Sequence, residues 1–147
     1  MAEITRILGD DHHRCDELFA AAESAIGQAQ WDVAEQAFAD FRAALSRHFT
    51  AEEETLFPAF EARTGMIAGP TQVMRTEHRQ MTELVERMAT ALGRHDEAGY
   101  LGESETLLML MRQHNLKEEQ ILYPMADRAM GDDPGLFSSI ERTLQGG

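Results

Sequence analysis

The chain has a single cysteine, Cys15, so no internal disulfide can form, and a reducing, cytoplasmic setting is the expectation. Only four prolines interrupt the 147 residues. No segment alternates apolar and polar residues for long, which argues against a strand-built core. Apolar runs are short: the longest, Leu107 to Met111, falls far below the ~18 residues that span a bilayer. The opening MAEITRILGDD lacks a basic stretch followed by an apolar one, so it does not read as a secretory signal. Positive charge is scarce as well: 13 Lys and Arg stand against 26 Asp and Glu, a net charge of −13. Such a surface repels nucleic acid and anionic membranes, and neither is expected as a partner.

Apolar residues make up 43% of the chain, enough for one buried core, and their spacing is helical throughout. Ile4, Leu8, His12, Cys15, Phe19, Ala22 and Ile26 step by four and three. So do Ala34, Phe38, Phe41, Leu45, His48, Glu52, Thr55 and Ala59. Met74, His78, Met81, Val85, Met88 and Leu92 form a third stripe. Tyr100, Ser104, Leu107, Met111, His114, Glu118, Ile121 and Met125 form the fourth. Each is the inward seam of a bundle helix. Breakers fall between the seams at Gly27, at Thr64 to Pro70 and at Gly93 to Gly99; Asp32 and Glu35 are placed to cap the second helix, and Pro70 to start the third. Short connections make successive helices antiparallel neighbours. The predicted fold is therefore all-α: an up-down-up-down four-helix bundle over residues 1–130, with a tail at 131–147 able to form a short helix.

Half of the chain echoes the other half at an offset of 66 residues. The segment from His48 through Glu52 to Pro58 matches that from His114 through Glu118 to Pro124, and both read H-x3-E-E-x2-L-[FY]-P. The same offset pairs Asp11-His12 with Glu77-His78. Two related helix pairs about a pseudo-two-fold axis follow from this.

Four histidines and two glutamates occupy seam positions: His12, His48, Glu52, His78, His114 and Glu118. Positions i and i+4 lie about 40° apart on a helix, so His48 and Glu52 face one interior space, as do His114 and Glu118. Burying carboxylates in an apolar seam is costly without a positive partner, and no lysine or arginine occupies these seams. Multivalent cations are the partner that fits, with neutral imidazoles as further ligands. Six donors exceed the four of a structural zinc site. Two potentially bridging carboxylates suit a pair of octahedral ions, and mixed imidazole and carboxylate donors favour iron, with manganese as a substitute. Neither Glu-x-x-His nor His-Glu-x-x-His occurs, which disfavours ferritin-type and zinc-protease sites. His13, about 100° away from His12, is expected at the surface with His95. Glu53, Glu54 and Glu119 lie beside the seams, where one of them could orient a histidine. Cys15 reads as a small core residue.

This pattern resembles the hemerythrin HHE cation-binding family over roughly residues 4 to 128, most specifically in the two H-x3-E-E-x2-L-[FY]-P segments. The resemblance implies two non-haem iron ions bridged by carboxylates and by oxo or hydroxo, on His12, His48, Glu52, His78, His114 and Glu118. It pairs His12 with His48 at one iron and His78 with His114 at the other. Oxygen-carrying members have a further histidine on the third helix, four residues from the first; here those positions are Met74 and Thr82. The four-histidine set is more similar to the bundle domain of repair-of-iron-centres proteins and to the iron-sensing domain of an F-box protein. The implied function is binding of, or reaction with, O2 or NO, or sensing of iron and redox state, with both irons open to small ligands. The alternative is stress defence, by reduction of NO or peroxide or by giving iron to a protein with a damaged iron–sulfur cluster.

Overall fold

The computed structural model describes residues 2–146. Helix α1 covers Glu3–Gly27 and α2 covers Trp31–Thr50; a π-helical turn, Ala51–Leu56, leads directly into α3, Phe57–Thr64. Helix α4 covers Pro70–Gly93 and α5 covers Glu97–Lys117; a second π turn, Glu118–Leu122, leads into α6, Tyr123–Met130. Helix α7, Pro134–Leu144, realises the short tail helix. The backbone stays right-handed helical at the caps of both π turns, so α2 to α3 and α5 to α6 are each one continuous rod. Four rods result, and the described residues form the expected antiparallel bundle. Pairing is strongest between α1 and α2 and between α4 and α5; α7 lies across the first π turn and touches α1 and α2. No helix among the described residues is long and apolar enough to cross a membrane.

The seams of α1 and α4 are buried as expected, from Ile4 to Ile26 and from Met74 to Leu92. Beyond His48 and His114 the other two depart from the periodic reading. Each π turn inserts about one extra residue per turn, which rotates the rest of the rod by one position. Leu56 and Phe60 are buried where Thr55 and Ala59 were expected, and Leu122 and Ala126 where Ile121 and Met125 were expected; Ile121 is 54% exposed. The predicted cap of α2 also differs. The helix starts after Gln30 without a side-chain cap, and Asp32 lies within its first turn. Gly27 and Gly93 end helices, yet the left-handed turns that reverse the chain fall two residues later, on Ala29 (φ 53°) and His95 (φ 52°), which are again 66 apart. Gly65 (φ 76°) closes α3 in the left-handed conformation that glycine adopts without penalty.

The core is divided in two. One apolar block holds Phe19, Phe38, Phe41, Val85, Met88, Tyr100 and Leu107. The other holds Ile4, Leu8, Leu56, Phe57, Phe60, Leu122, Tyr123 and Met130, closed by Leu136, Ile140 and Leu144 of α7. Between them lies a layer of buried histidine and glutamate. The register shift makes a direct test. Leu122→Ala should cost roughly 2–5 kcal/mol in urea unfolding and Ile121→Ala less than about 0.5 kcal/mol. Equal costs would contradict the π turn.

Candidate metal centre

All six seam residues converge on one buried layer: His12, His48, His78 and His114 are 1–4% exposed, and Glu52 and Glu118 are fully buried. Two sets of donors can be drawn, each with its atoms within 4.8 Å of one another. Glu52, His78, His114 and Glu118 form one; His12, His48 and Glu118 form the other. The π turns explain how both glutamates reach the layer. Each widens the helix where Glu52 and Glu118 leave the backbone, one turn beyond His48 and His114.

The imidazoles are aimed by carboxylates from behind. His12 Nδ1 lies 2.6 Å from Glu119 Oε2 and His48 Nδ1 2.8 Å from Asp11 Oδ2. His78 Nδ1 lies 2.5 Å from Glu53 Oε2 and His114 Nδ1 2.8 Å from Glu77 Oε1. A carboxylate can only accept, so each Nδ1 carries the proton and each Nε2 turns inward, the carboxylate–histidine arrangement that presents an imidazole to a metal. The four pairs obey the 66-residue offset, with Asp11 matching Glu77 and Glu53 matching Glu119. Glu53 and Glu119 thus orient histidines while keeping side chains 39% and 38% exposed. Glu54 takes no part in these pairs and lies at the surface, as does His13. His95 lies flat on Trp31 at 4.5 Å. Cys15 is buried and free, and burial pushes its thiol up to about 11.

Sequence reasoning missed Asp11, Glu77 and Tyr123. The first two were visible as the acidic residue preceding His12 and His78 in the repeat. Tyr123 Oη sits within the layer, donating to Glu52 Oε2 at 2.6 Å or Glu118 Oε1 at 2.9 Å and lying 3.2 and 3.3 Å from Nε2 of His12 and His48. Its repeat partner is Phe57, which has no polar atom to offer. Burial, then the charges of Glu118 and Glu52, hold the phenol far above its ordinary pKa, so it remains a donor.

Four inward atoms have no hydrogen-bond partner among the described residues: Glu52 Oε1, Glu118 Oε2, His78 Nε2 and His114 Nε2. His78 Nε2 is 3.0 Å from Glu52 Oε1 and His114 Nε2 is 3.2 Å from Glu118 Oε2, so the atoms are close without being aligned to bond each other. Their lone pairs face a common space. Orphaned polar atoms of this kind cost about 1–3 kcal/mol each, and more when charged, and a cation placed among them satisfies all four.

The hemerythrin HHE cation binding domain model matches residues 3–126, and the chain belongs to that family. Comparison with curated proteins and with solved structures gives no significant match. The chain is thus a hemerythrin-like cation-binding domain with a buried His/Glu cluster fit to hold metal.

Without metal, protons take the cation's place. Burial alone would depress the imidazole of His78, but Glu52 and Glu53 outweigh it and raise the pKa from 6.5 to about 9. Burial opposes charge at His48 and His114 too, and Glu52, Asp11 and Glu118 hold the first up as Glu118 and Glu52 hold the second. Burial is likewise overcome at Glu52, which His48 and His78 keep well below the usual carboxylate range. A raised folded-state pKa contributes stability that is complete below the unfolded value and disappears as pH climbs through the folded one. The metal-free protein should therefore lose stability between pH 6.5 and about 9, by up to roughly 3 kcal/mol from His78. Urea unfolding across that window measures it. Saturating zinc should abolish the decline, and a flat metal-free profile would contradict the account.

Proposed function

We propose that this chain is a non-haem di-iron protein whose centre binds or reacts with O2 or NO, or responds to iron and redox state, in a reducing cytoplasm. The observation that carries the reading is the set of four partnerless buried atoms on Glu52, His78, His114 and Glu118, set beside a second donor group of His12, His48 and Glu118. Two donor groups sharing a glutamate call for two ions. His12 and His48 would hold one, His78 and His114 the other, with Glu52 and Glu118 between them. Imidazole and carboxylate donors together suit iron, which supplies redox change and coordination positions for a small ligand. The chain's own contribution is to aim four Nε2 atoms, keep water out with two apolar blocks and place a phenol donor at one side.

Reaction is favoured over reversible carriage by the residues near His78. Met74 is an apolar core residue, and the Thr82 hydroxyl donates to the His78 carbonyl at 2.8 Å. Neither position supplies a fifth imidazole. Transfer of iron to a recipient protein would use the same centre.

Anaerobic reconstitution should yield two irons per chain by metal analysis; one tightly held ion would overturn the di-iron reading. The reduced protein should change its absorption spectrum with NO and be oxidised by O2 without recovery on deoxygenation. A fully reversible O2 response would place it with the carriers. His12→Ala should lower iron content sharply and His13→Ala leave it unchanged, because His13 is exposed. Equal loss from both would refute the assignment of His12.

A further inference from the structure

We propose that an external ligand reaches this centre only at the His78/His114 half, through a cleft between α2 and α4, and that Tyr123 closes the His12/His48 half. The inference rests on the two-ion reading above. It comes from two places where the 66-residue repeat is broken.

The first break is Phe57 against Tyr123. Tyr123 Oη lies within 3.3 Å of His12 Nε2, His48 Nε2, Glu52 Oε2 and Glu118 Oε1. Its hydroxyl stands beside the donors of that half, where a bound ion would meet it before any external ligand. Phe57 instead stacks on His78 with ring centres 5.8 Å apart and offers no polar atom, and His78 Nε2 and His114 Nε2 have no hydrogen-bond partner among the described residues. The inward nitrogens are thus without a partner at one half and already meet a hydroxyl at the other.

The second break is Phe49 against Asn115. The Phe49 ring lies flat on His78, 3.9 Å between centres and 15° between planes. Phe49 also lines a cleft of about 360 Å³ shared with Leu45, Glu53, Thr82, Val85 and Glu86. Glu53 is the residue that holds His78 Nδ1. One half-buried aromatic ring and one carboxylate therefore separate solvent from His78. The depression between α1 and α7 reaches Asp11, which holds His48 Nδ1, but unlike the cleft at Phe49 it has no aromatic ring stacked on a histidine, and beyond Asp11 that half is met by Tyr123. Charge at the cleft selects further. Its walls carry Glu53, Glu54 and Glu86, and its one cation, Arg42, is paired with Glu86. An acidic mouth disfavours anions and admits small neutral molecules.

The test is NO titration of the reduced, iron-loaded full chain, followed by absorption and electron paramagnetic resonance, after metal analysis has counted the irons. The expected result is one NO per chain. Tyr123→Phe should raise this to two. Thr82→Trp, which fills the cleft from an exposed position, should slow NO association tenfold or more with iron content unchanged, whereas Asp10→Trp at the opposite depression should not. Two NO bound per unmodified chain, a Tyr123→Phe protein still limited to one, or an unaltered rate in Thr82→Trp would each overturn the inference while leaving the di-iron reading intact. Fewer than two irons per chain would remove both. If Tyr123→Phe fails to fold, the Thr82→Trp rate still decides.

Discussion

The structure depends on the burial of Glu52 and Glu118. Two carboxylates with no exposure, in a layer without lysine or arginine, are tolerable only if positive charge is supplied from elsewhere. Four histidines surround them, and behind each histidine stands another acid: Asp11, Glu53, Glu77 or Glu119. The outer acids add negative charge to an already acidic layer. That makes sense only for a site whose normal content is strongly cationic. In an uncharged core the same residues would be a liability, and hydrophobic replacements would be as stable or more so.

The π turns belong to the same constraint. A straight α-helix carrying His at i and Glu at i+4 would continue its seam at Thr55 and Ile121. The wider turns let Glu52 and Glu118 lie in the polar layer and return Leu56, Phe57 and Phe60, or Leu122, Tyr123 and Ala126, to the apolar block beyond. Irregular helix at a functional layer is a recurrent association. Here the deviation has a specific product, because it turns the [FY] position of the repeat inward and so brings Tyr123 to the centre.

Much of this was legible in the chain alone. The seams of α1 and α4, the six inward polar residues and the pairing of helices by short connections follow from period and spacing. A π turn could not be read, since its only signal is a one-residue slip in a pattern that tolerates such slips. Thr55 and Ile121 were therefore misplaced, and with them the inward turn of Tyr123. Asp11 and Glu77 were missed for a different reason. They stand one residue before a seam histidine, a position that faces sideways on its own helix, and acquire a role only when the neighbouring helix brings His48 or His114 alongside. The apparent cap of α2 at Asp32 failed because Gln30 already begins the helix, with the preceding reversal made by Ala29.

A repeat makes its departures informative. Four Nδ1–carboxylate pairs and two seam glutamates obey the pseudo-two-fold axis, so the six donors by themselves would present two equal faces to any small molecule. Equality is lost at side chains that touch ligands without belonging to the set. Tyr123 places an oxygen where Phe57 places none, and Phe49 lays a ring over His78 where the other half has Asn115 at the matching position. On the proposed reading, affinity for cations would be governed by the symmetric residues, and access for a ligand by the asymmetric ones. The two properties can be altered separately, since the residues governing access lie outside the six-donor set.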